Sequence, residues 1–344
     1  LNYKVNYIEK GTNNVIKAQK IVNGMIYKEE VITEDEVVQI DGYNFDSVDK
    51  EKIIIGTGEN VINLYYTRRG DLSYIVNYLE KGTNKEITGS KTVENMTYGA
   101  EVESKNDVIE VYGYNFDSAD KETLTITTGE NVINLYYIKK DTKVTVHYYE
   151  ENSTTKVSND VVIPGKVFDR YEAVPAGDVA SKYELVGVPD NSTGKMTEEE
   201  IVVTFYYRKK ATKVIVHFYE EGTTNKLSEN VVIEGRVDDR YTTTAATDVP
   251  SKYELSIRPE NATGNMTEEI IEVTYFYRVK DTVLNIRYLE QGTNIELASP
   301  EKQTGKVEED YITDAKVIEG YTLVGDSGNT TGKLTIAPIT VTFY

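Results

Sequence analysis

The residues able to do chemistry in this chain are few. His147 and His217 are its whole stock of imidazole, and they stand 70 residues apart in matching sentences of sequence. A single metal site cannot use both within one molecule, so they read as ordinary strand histidines. With no cysteine, thiol nucleophiles, disulfides and thiolate-bound metals are excluded together. Asp190-Asn191 and Asp326–Asn329 offer oxygen atoms to Ca²⁺, but such residues read first as turn formers. Carboxylate pairs signal nothing among 57 Asp and Glu residues. No Ser/His/Asp set, phosphate loop or zinc signature is present, so no catalytic, cofactor-binding or metal-binding residue is assigned, no cofactor is expected, and the chain reads as a non-enzyme. Arg69-Gly70-Asp71 spells an integrin-type tripeptide, in a segment whose other copies differ; it reads as a coincidence. What stands out is tyrosine: 28 Tyr beside 7 Phe and no Trp. Its ring packs well on a half-buried sheet while its hydroxyl stays wet, and an exposed ring can stack on a sugar.

These residues are positioned by a repeat. Val5-Asn6-Tyr7-Ile8-Glu9-Lys10-Gly11-Thr12 returns as Val76–Thr83, as Val146-His147-Tyr148-Tyr149-Glu150, as Val216-His217-Phe218-Tyr219-Glu220 and as Ile286-Arg287-Tyr288-Leu289-Glu290. A second landmark pairs Gly42-Tyr43, Gly113-Tyr114, Lys182-Tyr183, Lys252-Tyr253 and Gly320-Tyr321. A third aligns Leu64-Tyr65-Tyr66, Leu135-Tyr136-Tyr137, Phe205-Tyr206-Tyr207, Tyr275-Phe276-Tyr277 and Phe343-Tyr344. Three landmarks kept in order five times define a tandem array. Copies one and two share Gly-Tyr-Asn-Phe-Asp-Ser; copies three and four share Asp-Arg-Tyr and Ser-Lys-Tyr-Glu-Leu; copy five is nearer the second pair. The chain reads as an excised part of something longer.

Period-two alternation, as in Val144-Thr145-Val146-His147-Tyr148-Tyr149, marks strands, and Gly/Asn/Asp/Thr clusters mark the turns between them. Only the segment before the second landmark, for example Ala176–Ser181, has room for one or two helical turns. The fold class is therefore mostly β, a β-rich α+β module with at most one short helix. The modules run 1–70, 71–140, 141–210, 211–280 and 281–344. A module of ~70 residues buries little surface and leans on its neighbours. Short junctions such as Thr67–Asp71 and Arg208–Ala211 place the modules end to end, as an elongated, monomeric rod of roughly 130 Å or more.

The opening Val-x-Tyr-x-Glu-x-Gly-Thr, the medial Gly-Tyr-x-Leu/Phe and the late Thr-Gly-x-Met/Leu-Thr before Val-Thr-Phe-Tyr-Tyr resemble the MucBP (mucin-binding protein) repeat of Gram-positive surface proteins. Copies three to five carry the match best; copies one and two have Thr57-Gly58-Glu59-Asn60 and Thr128-Gly129-Glu130-Asn131 in place of the late motif. The resemblance implies a ubiquitin-like β-grasp fold, secretion, an extracellular place on the bacterial cell wall, and adhesion to host mucin glycoprotein or other glycans. The alternative is a passive stalk that projects a separate ligand-binding or catalytic domain. Tyr149 and Tyr219, present in only some copies, are the candidate glycan-binding rings, with core and cross-strand packing as their ordinary role. A net charge of −19 excludes nucleic acid as a partner and repels acidic mucin at long range. Binding would then be weak per module and multivalent. No apolar stretch approaches the ~20 residues of a membrane span, so no membrane insertion is expected, and Leu1-Asn2-Tyr3-Lys4-Val5 does not read as a signal peptide.

Overall fold

Inward-facing tyrosines and β-branched residues build the strands. In Asn2–Glu9 the side chains of Tyr3, Val5 and Tyr7 are buried, while Lys4, Asn6 and Ile8 are half-buried on the opposite face. The computed structural model, which describes residues 1–344, repeats this pattern along the chain. The strand Val61–Arg68 lies beside Asn2–Glu9 and parallel to it, with Val5 opposite Ile62 and Tyr7 opposite Leu64. Val15–Asn23 and Tyr43–Val48 flank this central pair antiparallel. The same order recurs in four-stranded sheets from Leu72–Glu80 and Val132–Lys139, from Asp141–Glu150 and Ile201–Lys209, and from Ala211–Glu220 and Ile271–Val279, with a parallel centre in the first and last of these. A fifth sheet pairs Asp281–Leu289 with Ile339–Phe343 and Glu296–Lys306 and has three strands. Each is accompanied by a two-stranded ribbon in the crossover, such as Glu30–Ile32 with Lys52–Ile54. This is a tandem array of mostly-β sheets with the parallel central pair of a β-grasp.

Two compact units divide the chain. One comprises Leu1–His147, Asn159–Pro175 and Val188–Thr204; the other comprises Tyr148–Ser158, Ala176–Gly187 and Phe205–Tyr344. In the first unit, Tyr7 and Tyr66 sit 6.4 Å apart between ring centroids within a core that includes Val5, Ile55, Ile62 and Leu64. In the second, Phe218 and Tyr275 stack at 5.8 Å, as do Tyr288 and Phe343. Burying a ring of this size yields roughly 1.5–3 kcal/mol, so a handful of rings carries each small core.

The segment Ala176–Ser181 is not helical. It runs as bends between Pro175 and the turn before Tyr183, and helical geometry is confined to short 3₁₀ turns at Thr33–Glu36, Ser104–Asp107 and Asp190–Ser192. Gly177 disfavours a helix there, and no 3.6-residue apolar period offers one a face. Tyrosine hydroxyls hold the irregular crossover instead. The Tyr66 hydroxyl accepts from the Val38 N–H at 3.3 Å and donates to the Val38 carbonyl at 2.9 Å. Tyr137 does the same with Ile109, and Tyr277 with Ala246, while Tyr207 accepts from the Ala176 N–H at 2.9 Å. This explains why the last aromatic of each of these closing strands is Tyr: a Phe would leave that peptide without its partner.

One residue at each junction is held from both sides. The N–H of Arg69 donates to the Gly42 carbonyl and the Arg69 carbonyl accepts from Tyr98, at 2.9 Å each. Lys140 is held likewise by Gly113 and Val167, Lys210 by Lys182 and Val237, and Lys280 by Lys252 and Val307, at 2.8 to 3.1 Å. The connecting peptide is therefore a shared ladder rung.

Candidate functional site

The outer face of each sheet is where surface chemistry collects, because the inner face is committed to the core. At one equivalent outward position of the opening strand the five sheets carry Asn6, Asn77, His147, His217 and Arg287. In the first sheet a ladder of side chains crosses the strands. Gln19 donates to Asn6 Oδ1 at 2.6 Å, Asn6 donates to Asn63 Oδ1 at 2.9 Å, and Asn63 Nδ2 donates to Asp49 Oδ2 at 2.9 Å. The second sheet repeats its core with Asn77, Asn134 and Asp120. In the third sheet His147 Nδ1 lies 3.0 Å from Asp160 Oδ1. A hydrogen bond from Thr145, helped by the Lys143 ammonium, holds the Glu200 carboxyl below its usual range. In the fourth, Tyr219 stacks on His217 at 5.8 Å and 14°. In the fifth, Arg287 grips Glu296 at 2.9 and 3.1 Å.

Two residues further along each strand come Ile8, Leu79, Tyr149, Tyr219 and Leu289. Tyr149 and Tyr219 are half-buried, each on the outer face of its own sheet. The facing column on the closing strand is aromatic: Tyr65 opposite Ile8, Tyr136 opposite Leu79 and Phe276 opposite Tyr219. Its third member, Tyr206, is 45% exposed. With Val186 and the loop Glu151–Thr154 it lines an open cleft of about 750 Å³. Sequence reasoning passed over Tyr206, although the alternation contains the signal: Phe205 and Tyr207 are buried, so Tyr206 must face out. A half-exposed ring beside amides, hydroxyls and carboxylates can stack on a sugar and accept or donate to its hydroxyls.

Other singled-out residues serve the fold. Arg69 donates to both carboxylate oxygens of Asp71 at 3.0 Å, so the integrin-like tripeptide closes on itself. Asn191 Nδ2 caps the Val202 carbonyl at 2.9 Å, Asn261 the Glu272 carbonyl at 2.9 Å and Asn329 the Thr340 carbonyl at 3.0 Å, while Asp326 Oδ1 accepts from the Gly328 N–H. These are turn duties. Two of the second-landmark tyrosines are junction residues: Tyr43 meets Tyr98 at 5.6 Å and Tyr114 meets Phe168 at 5.8 Å. A cavity of about 510 Å³ beside the three-stranded fifth sheet is lined by Leu289, Leu297, Val317, Tyr321, Leu323 and Phe343. No helix is long and apolar enough to cross a membrane.

Comparison with known proteins places these sheets in context. Residues 143–208, 213–278 and 284–344 each match the family model described as the MucBP domain. Over 210 residues the chain is 35% identical to Internalin J of Listeria monocytogenes (strain EGD-e), covering 59% of this chain and 24% of that protein. Over 258 residues it is 28% identical to Internalin I of Listeria monocytogenes serotype 4b, covering 71% of this chain and 14% of that protein. The chain thus spans about a quarter or less of the length of these relatives. Among solved structures it is similar to the type 2 repeat of the mucus binding protein MUB from Lactobacillus reuteri, at 12% identity and a TM-score of 0.16, covering 81% of this chain and 99% of that one.

Proposed function

The chain belongs to the MucBP domain family, as tandem repeats of a Gram-positive surface protein, and from that premise we propose that it is the repeat region of a cell-wall-anchored adhesin that binds mucin-type glycans weakly and multivalently. In this reading the modules are 1–70, 71–140, 141–210, 211–280 and 281–344. Glycans rest on the outer sheet faces, with Tyr149 and Tyr219 as stacking rings and Tyr206 beside the Glu151–Thr154 loop as a third. The observation that carries it is the recurrence of half-exposed aromatic rings at one place on successive outer faces. A ring and a few hydroxyl contacts give little affinity per module, and linkage along one chain multiplies it. Long-range repulsion from the net charge of −19 is screened within ~8 Å at physiological salt, leaving short-range stacking free to act.

The test is binding of the whole chain, and of versions shortened by whole modules, to immobilised mucin and to a glycan array. Signal should grow with module number, and Tyr149→Ala with Tyr219→Ala should weaken it. Silence at both low and physiological salt would leave the second reading, a spacer that projects another domain. That reading is favoured by the junction residues held on both sides, which restrain movement between neighbouring modules.

A further inference from the structure

Among the contacts at each junction, one pair of positions takes two chemical forms. At the first two junctions a glycine receives an aromatic ring: a Cβ on Gly42 would fall 2.5 Å from the Tyr98 ring, and one on Gly113 would fall 2.5 Å from the Phe168 ring. At the next two a lysine receives an acid: Lys182 Nζ lies 2.8 Å from Asp238 Oδ2, and Lys252 pairs with Glu308. Phe168, Asp238 and Glu308 occupy one backbone slot, with φ of +74°, +71° and +74° and N–H groups donating to Met196, Met266 and Leu334. In the second module that slot is Gly99, and Tyr98 supplies the ring one residue earlier.

The slot follows the neighbour and not the module that carries it. The third module shares Asp-Arg-Tyr and Ser-Lys-Tyr-Glu-Leu with the fourth, yet it bears Phe168 where the fourth bears Asp238. What differs is the preceding turn, Gly113 against Lys182. An acid facing the glycine would leave unfilled the space that the ring occupies, and a phenylalanine facing the lysine would remove the carboxylate with which its ammonium pairs. The glycine form also differs in backbone. Gly42 and Gly113 have φ of +77° and +81° at the third position of their turns, which favours glycine, while Lys182 and Lys252 are not in that region.

The fifth module is of the second sequence class, but its turn is of the glycine form. Gly320 has φ of +86°, the Tyr321 N–H donates to the Ile318 carbonyl as in the Ile40–Tyr43 turn, and nothing lies within 4 Å of a Cβ built at Gly320. We propose that the Ile318–Tyr321 turn is a docking face for a further module of this family that presents Tyr or Phe at the place of Tyr98 or Phe168, and that it discriminates against modules presenting an acid there. This is independent of whether the outer faces bind glycans.

The experiment extends the full chain after Tyr344 with residues 66–140, since Phe343 pairs with Tyr288 as Leu64 pairs with Tyr7. A second version carries Tyr98→Val and Gly99→Asp in the added copy, reproducing the Val237-Asp238 pair. Both additions supply the same strand next to Tyr321, and because the introduced acid also comes within reach of Arg68 in its own copy, each is compared in the Gly320 chain and in its Gly320→Lys variant, where that contact is the same. Hydrogen exchange over residues 316–324 should be about tenfold slower with the aromatic version than with the acidic one. With Gly320→Lys in the body of the chain the order should reverse. Equal protection by the two additions in the Gly320 chain overturns the proposal, whatever the lysine variant does.

Discussion

Removing one oxygen from Tyr66 tests how the irregular crossover is held. Tyr66 is 1% exposed, and its hydroxyl satisfies both the N–H and the carbonyl of Val38. In Tyr66→Phe the ring keeps its packing, while the Val38 peptide loses both partners. An unsatisfied buried polar group costs about 1–3 kcal/mol; because Val38 is only half-buried, the low end applies, about 1–2 kcal/mol. At 1.4 kcal/mol per factor of ten that is about 5–30-fold in a local opening equilibrium. Global unfolding of a multi-module chain is a poor reporter, since its transitions overlap. Hydrogen exchange resolved to residues 37–41 reads the opening directly. Tyr65→Phe, on the outer face one residue earlier, should change exchange there less than about twofold. Unchanged exchange in Tyr66→Phe would mean that water substitutes for the hydroxyl, and would refute the claim that tyrosines pin the crossover.

Three further outcomes follow from the same geometry. Gly113→Ala must both adopt φ of +81° and displace the Phe168 ring, for a loss of about 2–4 kcal/mol, whereas Gly320→Ala meets open space and should lose about 1 kcal/mol; equal losses by module-resolved exchange would contradict the junction contact. Burial pushes the Glu36 carboxyl up, but hydrogen bonds from Lys20 and Tyr3 outweigh it and leave its pKa lowered. Its contribution is therefore present above the ordinary carboxylate range and lost as pH falls through the folded value; exchange over residues 31–38 should quicken below about pH 4.5 in the native chain, with a smaller acid response in Glu36→Gln. Burial raises the pKa of Tyr7, Tyr66, Tyr78, Tyr137 and Tyr277, so absorbance at alkaline pH should show a late-titrating tyrosine class, and uniform titration near 10 would count against these cores.

The repeat, the strands and the inward tyrosines were legible because each rests on local spacing that sequence displays directly. Phe205 and Tyr207 against Tyr206 is period-two reading at its simplest. The room for one or two helical turns near Ala176–Ser181 goes unused, because Gly177 and a tyrosine hydroxyl from a distant strand settle that segment as an irregular crossing. Tyr66 shows the same limit: its conformational partner, Val38, lies across the fold. The junction pairs were hidden for a related reason. Gly113 and Phe168 belong to different modules, so comparing like with like down the columns sets each residue beside its counterparts and never beside the one it touches. Of the outer-face rings, Tyr149 and Tyr219 drew notice for their irregular recurrence, while Tyr206 was obscured by the doublet it shares with Tyr207.

The parallel neighbouring of each opening and closing strand has a mechanical consequence. When tension is applied through the chain ends, the strand that enters a sheet and the strand that leaves it are drawn along their lengths in opposite senses. The six paired positions between Lys4–Glu9 and Val61–Tyr66 are loaded in shear, all at once, where a hairpin would surrender its bonds one at a time like a zip. A sheet loaded in this way should resist pulling more strongly than a hairpin of the same length.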